Sequence, residues 1–217
     1  MLSSLLFISF AMAMPQPTLD HLLSEQGWTP LKTIQDKSVG TIIVQQKDIS
    51  GFPCFRAKGT STVPLEVFEM VAQDIPSSLR WSSSGLKESI SLQQSPTQID
   101  YYQYLSITFF ADRHWFLRAQ IKKTDTQFRF IWKPIPAGEH VDFIAQKKSE
   151  HSNAVEPPIN IGEWRFTKND SGKIIVQYSI CTHPGGSIPK QFRSIGTVKT
   201  LPTNVKEMII EGRKNAQ

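Results

Sequence analysis

The chain has 217 residues, 39% hydrophobic and 20% charged, which fits one globular domain and excludes a disordered or fibrous chain. Its net charge of +5, from 24 basic and 19 acidic side chains, is too mild to argue for nucleic acid, and its two cysteines exclude a disulfide-rich scaffold and a four-thiolate zinc site. The aromatic load of 13 Phe, 5 Trp and 4 Tyr asks for a large apolar interior.

Residues 5–14 (LLFISFAMAM) carry no charge and are far shorter than the roughly 20 residues that span a bilayer. Ala11-Met12-Ala13 is an A-x-A cleavage pattern, followed by Pro15 and Pro17. The segment 1–13 therefore reads as a secretory signal peptide cut after Ala13, with the terminal amine as its only positive charge; the other reading is an apolar first helix. No later stretch is long and apolar enough to cross a membrane, so the expected product is exported, periplasmic or secreted, and soluble after cleavage. The remaining chain divides into an N-terminal helix segment at 14–26 and one domain at 27–217.

Within 18–26, Thr18 caps a short helix whose Leu19, Leu22 and Leu23 share a face, and Gly27 ends it. Residues 41–48 and 54–62 read as strands around a turn at Ser50-Gly51. The period then changes: Leu65, Phe68, Val71 and Ala72 fall at helical spacing behind Pro64. Residues 75–85 are Ser-rich and read as irregular. From residue 87 onward the chain alternates as strands. Ile90 and Leu92 mark the first, and the Tyr-rich 99–110 the second. Trp115, Leu117, Ala119 and Ile121 share one face of the third; Phe128, Phe130 and Trp132 share one face of the fourth. Residues 161–167 and 173–182 form the last pair, turning at 169–172. The polar insertion 134–158 contains Val141-Asp142-Phe143-Ile144, read as a short strand. From Pro189 the chain is helical again, with Phe192, Ile195, Val198, Val205, Met208 and Ile209 on one face. Pro202 kinks this helix and Thr200 is placed to cap its second half.

This order makes an α+β chain: a long curved antiparallel sheet around a C-terminal helix, enclosing an apolar cavity. In that order the chain resembles the START (StAR-related lipid transfer) family with its helix-grip fold, across 27–215. The motifs that carry the likeness are Gly27-Trp28, the helix 62–72, Arg80-Trp81, Ala111 to Arg118 (ADRHWFLR), Gly162-Glu163-Trp164, Gly186-Ser187-Ile188-Pro189-Lys190 and Leu201-Pro202. None is specific alone; their order and spacing are. His114 stands where the family usually has Asp, Ser187 where it has Trp, and the arginine of the next-to-last strand region is matched only poorly by Arg165.

The resemblance implies a lipid or other hydrophobic molecule bound between sheet and helix, with transfer as a further expectation, without covalent chemistry, cofactor or metal. It implies a monomer, no nucleic-acid partner, and transient membrane contact through the basic last helix, whose other reading is a solvated face. Candidate ligand contacts are Tyr102, Tyr104, Trp115, Leu117, Arg118, Phe128, Phe130, Trp132, Trp164, Phe166, Tyr178, Phe192 and Ile195; which strand face points inward stays open. Arg118 lies near an arginine that some members point into the cavity, with Asp100 as a partner; the other reading is a solvated outer pair. The resemblance also makes the strands of Cys54 and Cys181 neighbours, which leaves either a disulfide or two thiols. The five histidines are scattered without metal-ligand spacing, and no nucleophile elbow, P-loop or dinucleotide fingerprint occurs. The alternative function is a helix-grip cyclase or hydrolase, which needs His114, Asp100 and Arg118 or Tyr102 together in the cavity.

Overall fold

A computed structural model describes residues 17–108, 110–186, 188 and 193–217, with the backbone alone at 193–196. The expected signal peptide at 1–13, Phe192 and the Ile195 side chain lie outside this description.

Short α1 (Leu19–Leu23) leads into β1 (Thr29–Asp36), β2 (Gly40–Ile49) and β3 (Phe52–Ser61). Helices α2 (Leu65–Gln73) and α3 (Ser78–Trp81) follow, then β4 (Leu86–Ser95), β5 (Gln98–Leu105), β6 (Arg113–Thr124) and β7 (Gln127–Pro134). Next come α4 (Val141–Glu150), β8 (Ile159–Lys168), β9 (Ile174–His183) and the last helix, α5 (Arg193–Asn215). The strands make one antiparallel nine-stranded sheet in the order β1-β2-β3-β9-β8-β7-β6-β5-β4. The expected α+β helix-grip architecture is thus the one observed.

The pleat sorts the side chains. On β6 the odd positions Leu117 and Ala119 enter the main core, and on β7 the alternating Phe128, Phe130 and Trp132 do so. Helices α2 and α5 close that concave side. Phe68 stacks on Phe166 at 5.0 Å, and Leu201, Val205, Met208 and Ile209 of α5 are almost fully buried. Gly59 of β3 lets α5 approach, since a Cβ there would stand 3.0 Å from Ile209 Cδ1 and 3.1 Å from Val205 Cγ1.

The convex side carries two separate covers. Under α1 a small cluster forms from Leu22, Ile49, Cys54, Ile161 and Cys181. Cys54 and Cys181 stand directly opposite on β3 and β9, with Cα atoms 4.4 Å apart, and form a disulfide. Over β4–β6 lies α4.

Several elements depart from expectation. Residues 141–144, read as a strand, begin helix α4: the four-residue apolar stretch outweighed the helix-forming Ala, Gln, Lys and Glu that follow it. No residue of α4 is fully buried, and Phe143 meets Tyr102 at 5.7 Å. The edge strand β1 is an addition, hidden by its largely exposed, weakly alternating sequence. The Ser-rich segment holds one turn of helix, α3. The first helix is shorter than expected, although Thr18 does accept the His21 N–H at 3.4 Å. Helix α5 runs unbroken through Pro202, so Thr200 lies inside it and not at the start of a second helix; its hydroxyl donates to the Thr197 carbonyl at 3.4 Å.

The disulfide closes a loop of 127 residues, for which chain entropy gives roughly 4–5 kcal/mol. Replacing both cysteines by alanine is expected to lower the thermal midpoint by at least about 8 °C. An unchanged midpoint in calorimetry would contradict a stabilising bridge.

Candidate functional site: an aromatic cavity between sheet and helix

The concave face is paved with rings. Trp132 stacks on Tyr178 at 5.5 Å, Trp164 meets Tyr178 at 4.4 Å, and Tyr101 meets Phe130 at 6.0 Å. Trp132 lies across Gly162 of the neighbouring strand: a Cβ on Gly162 would fall 2.0 Å from its ring. The Trp132 indole N–H donates to Asn160 Oδ1 at 3.0 Å, which fixes the ring flat on the sheet.

Above this floor a partly open space of about 100 Å³ is lined by Val71, Ile75, Trp81, Tyr101, Trp132 and Met208, among others. A second arm of about 180 Å³ extends along Leu86, Leu105, Trp115 and Asn204. The arms share Ser78, Trp81, Gln103, Trp164 and Tyr178. The polar groups near the junction are mostly paired. Ser78 and Ser89 hydroxyls lie 2.9 Å apart, and Gln103 Nε2 donates to Ser89 at 3.2 Å. Burial pushes the Tyr101 and Tyr178 phenols far above their ordinary range, so both stay neutral.

The structure divides the expected contacts. Trp115, Leu117, Phe130, Trp132, Trp164 and Tyr178 line the cavity. Phe128 and Phe166 are fully buried and lie 6.1 Å apart in the packed core by α2. Tyr102, Tyr104 and Arg118 stand on the convex face, separated from the cavity by the sheet. The register decides this: Tyr101 pairs with Leu117 and Tyr102 with Phe116, so an inward Leu117 turns Tyr101 inward and Tyr102 outward. Tyr101, Gln103 and Trp81 were missed because β5 carries tyrosines on both faces and α3 was not anticipated.

On the convex face Arg118 grips Asp100 with two hydrogen bonds of 2.8 and 2.7 Å and also reaches Glu139. His140 Nε2 lies 2.9 Å from Asp100. Asp100 is fully buried; burial opposes its ionisation, but the hydrogen bonds from Arg118 and His140 outweigh it and hold the carboxyl below its usual range. At the other end of α4, Glu88 binds Lys147 at 2.7 Å and His151 at 2.5 Å, and His151 stacks on Tyr104 at 3.9 Å. Among the described residues, Glu88–Glu150–His151 and Asp100–Glu139–His140 bring metal-ligating atoms within 4.8 Å. Each group already surrounds a basic side chain, Lys147 in one and Arg118 in the other. These are clasps that hold α4 to the sheet.

No family model and no curated protein matches the chain. Solved structures do. A STAR-related lipid transfer protein of Xanthomonas axonopodis (fragment 25–204) is 19% identical, with a TM-score of 0.68, covering 86% of this chain and 99% of that one. Human STARD10 is 13% identical, with a TM-score of 0.69, covering 90% and 76%. The Zhui aromatase/cyclase of Streptomyces sp. R1128 is 9% identical, with a TM-score of 0.54, covering 76% and 95%. At these identities the likeness is one of fold: the chain has the helix-grip fold of START domains.

Two variants test this geometry. Gly162→Ala is expected to displace Trp132, cost about 1–3 kcal/mol, and change the tryptophan fluorescence of the native state. Arg118→Met removes the guanidinium from the buried Asp100 carboxylate, leaving it His140 and Gln98, and is expected to cost roughly 3 kcal/mol near neutral pH. Because the folded Asp100 carboxyl lies below its unfolded value, that difference is present above about pH 4 and fades as the pH falls through the folded value. A pH-independent gap between wild type and variant in thermal melts would contradict the clasp.

Proposed function

We propose that the chain binds one hydrophobic small molecule, a lipid or lipid-like compound, in the cavity between sheet and α5, and carries out no covalent chemistry on it. The observation that supports this most is the aromatic floor of Trp132, Trp164, Tyr178, Tyr101 and Phe130 left partly uncovered beneath the helix. Such a surface offers a ligand about 25 cal/mol per Å² of apolar area removed from water. His114, Asp100, Arg118 and Tyr102, which a chemical step in the cavity would need, lie on the opposite face of the sheet. The lipid-transfer neighbours favour the same reading.

The arms are small beside typical ligand pockets of about 300–1,000 Å³. The closed form therefore suits a compact ligand, and a larger one requires α5 to yield. Full release of α5 would expose Leu201, Val205, Met208 and Ile209 at about 1.5–3 kcal/mol each, a large part of a domain's stability. Pro202 lacks the N–H that would bind the preceding turn, so the helix bends most cheaply there. The half before Pro202 is the gate in this proposal, and the half after it is the anchor. Lys199, exposed on α5 just before Pro202, places positive charge on the gate, where an anionic membrane attracts it. Export fits the disulfide, which persists in an oxidising compartment, with residues 1–13 as the signal peptide.

Native mass spectrometry of the purified protein, followed by organic extraction, tests this reading. A single co-purifying hydrophobe, or uptake of one from vesicles by the emptied protein, is expected. A protein that carries nothing and takes up nothing contradicts it.

A further inference from the structure

A small polar cluster interrupts the rings where the two arms meet. The Ser78 and Ser89 hydroxyls both donate to the Ile75 carbonyl, at 2.7 and 2.8 Å. A hydroxyl has one proton, so towards any further neighbour both oxygens act as acceptors. The Gln103 side chain answers with its nitrogen: Nε2 lies 3.2 Å from Ser89 Oγ and 3.5 Å from Ser78 Oγ. The amide cannot turn over without setting its carbonyl oxygen against two lone pairs. Its orientation is therefore fixed by the serines, and the oxygen is the end left for other work.

That oxygen, Gln103 Oε1, accepts no hydrogen bond from a described residue, and it is not sealed off. Among the described residues, the buried side-chain atoms without a partner are Tyr102 OH, His114 Nδ1, Trp115 Nε1 and Arg129 Nη2; Gln103 Oε1 is not one of them, so it keeps accessible surface. Gln103 stands opposite Trp115 in the β5–β6 register, on the concave face, and its side chain lines both arms. Water satisfies an open acceptor of this kind. A hydrophobe that covers it without offering a proton removes that water and leaves a desolvated acceptor, at about 1–3 kcal/mol. A ligand with a hydroxyl restores the bond. An ether, ester, ketone or ionised carboxylate has no proton to give, and an ammonium loses far more hydration than one hydrogen bond returns.

We propose that the ligand is a compact hydrophobe bearing a hydroxyl group, and that this hydroxyl donates its proton to Gln103 Oε1. This rests on the reading of the cavity as a hydrophobe site and names the class of molecule it takes. The hydroxyl oxygen keeps its own lone pairs, and the Asn204 side chain of α5, which lines the second arm, is the amide on the helix side able to donate to them. A hydroxyl so held joins the floor of the cavity to the helix that closes it.

The test compares two isomers of equal size, 1-octanol and 1-methoxyheptane, of which only the alcohol donates. Each is titrated into the emptied protein by calorimetry, with tryptophan fluorescence alongside. The alcohol-to-ether affinity ratio is expected to be about threefold to tenfold higher in wild type than in Gln103→Met, the range for one neutral hydrogen bond. General loosening in the variant weakens both isomers alike and leaves the ratio untouched. Wild type alone gives a second readout: the Gln103 side-chain carbonyl carbon is expected to move downfield in NMR spectra with octanol and to stay in place or move upfield with the ether. An equal ratio in the two proteins, or no downfield movement with octanol, overturns the inference while leaving hydrophobe binding intact. A wild type that binds neither isomer yet takes up a hydrophobe from vesicles also overturns this inference alone; one that binds nothing overturns the reading of the cavity as well.

Discussion

A sheet too wide for the helix it holds is the constraint on which this protein depends. Nine strands at about 4.8 Å spacing span close to 40 Å, whereas a helix with its side chains is about 10–12 Å across. One helix cannot cover that concave face, even with the sheet curled around it. Helix α2 takes part of the remainder through Phe68 on Phe166. Elsewhere the face is filled by tryptophan and tyrosine laid flat on the strands, which Gly162 permits by leaving Trp132 room to lie down. What is left over is the cavity. It follows from the mismatch in width and needs no separate device to form.

The two faces of the sheet are stabilised by different physics, and this keeps their roles apart. On the convex side, ion pairs hold α4 to the sheet, Arg118 with Asp100 and Lys147 with Glu88, and the Cys54–Cys181 disulfide ties β3 to β9 beneath α1. These contacts are directional, with little tolerance for movement. On the concave side the contacts are rings and aliphatic chains, non-directional and adaptable, beneath a helix that carries Pro202 within its length. A molecule that must open and reclose around different shapes benefits from that division. The rigid side keeps the floor in register while the covered side yields.

Much of this was legible in the sequence, and the failures have physical causes. Strict alternation over Trp115–Leu117–Ala119 and Phe128–Phe130–Trp132 identified one face of two strands as a surface in common, and six residues of the expected set do line the cavity. Alternation alone does not say which face is inward, and β5, with Tyr101, Tyr102 and Tyr104, presents aromatics on both. Only the pairing of Tyr101 with Leu117 fixes the parity. Helix α4 was misread because a stretch of four largely apolar residues is too short to separate helix from strand by period. Trp81 and Gln103 needed three-dimensional neighbours, which no local pattern encodes.

The central claim is that a ligand occupies the concave side under α5 and nothing else in the molecule responds to it. Hydrogen–deuterium exchange of the emptied protein with and without the hydrophobe that it takes up from vesicles tests this most directly. The account predicts added protection in the part of α5 before Pro202 and in α3, with α4 and the disulfide region unchanged. Protection centred on α4, or spread evenly over the sheet, would contradict it.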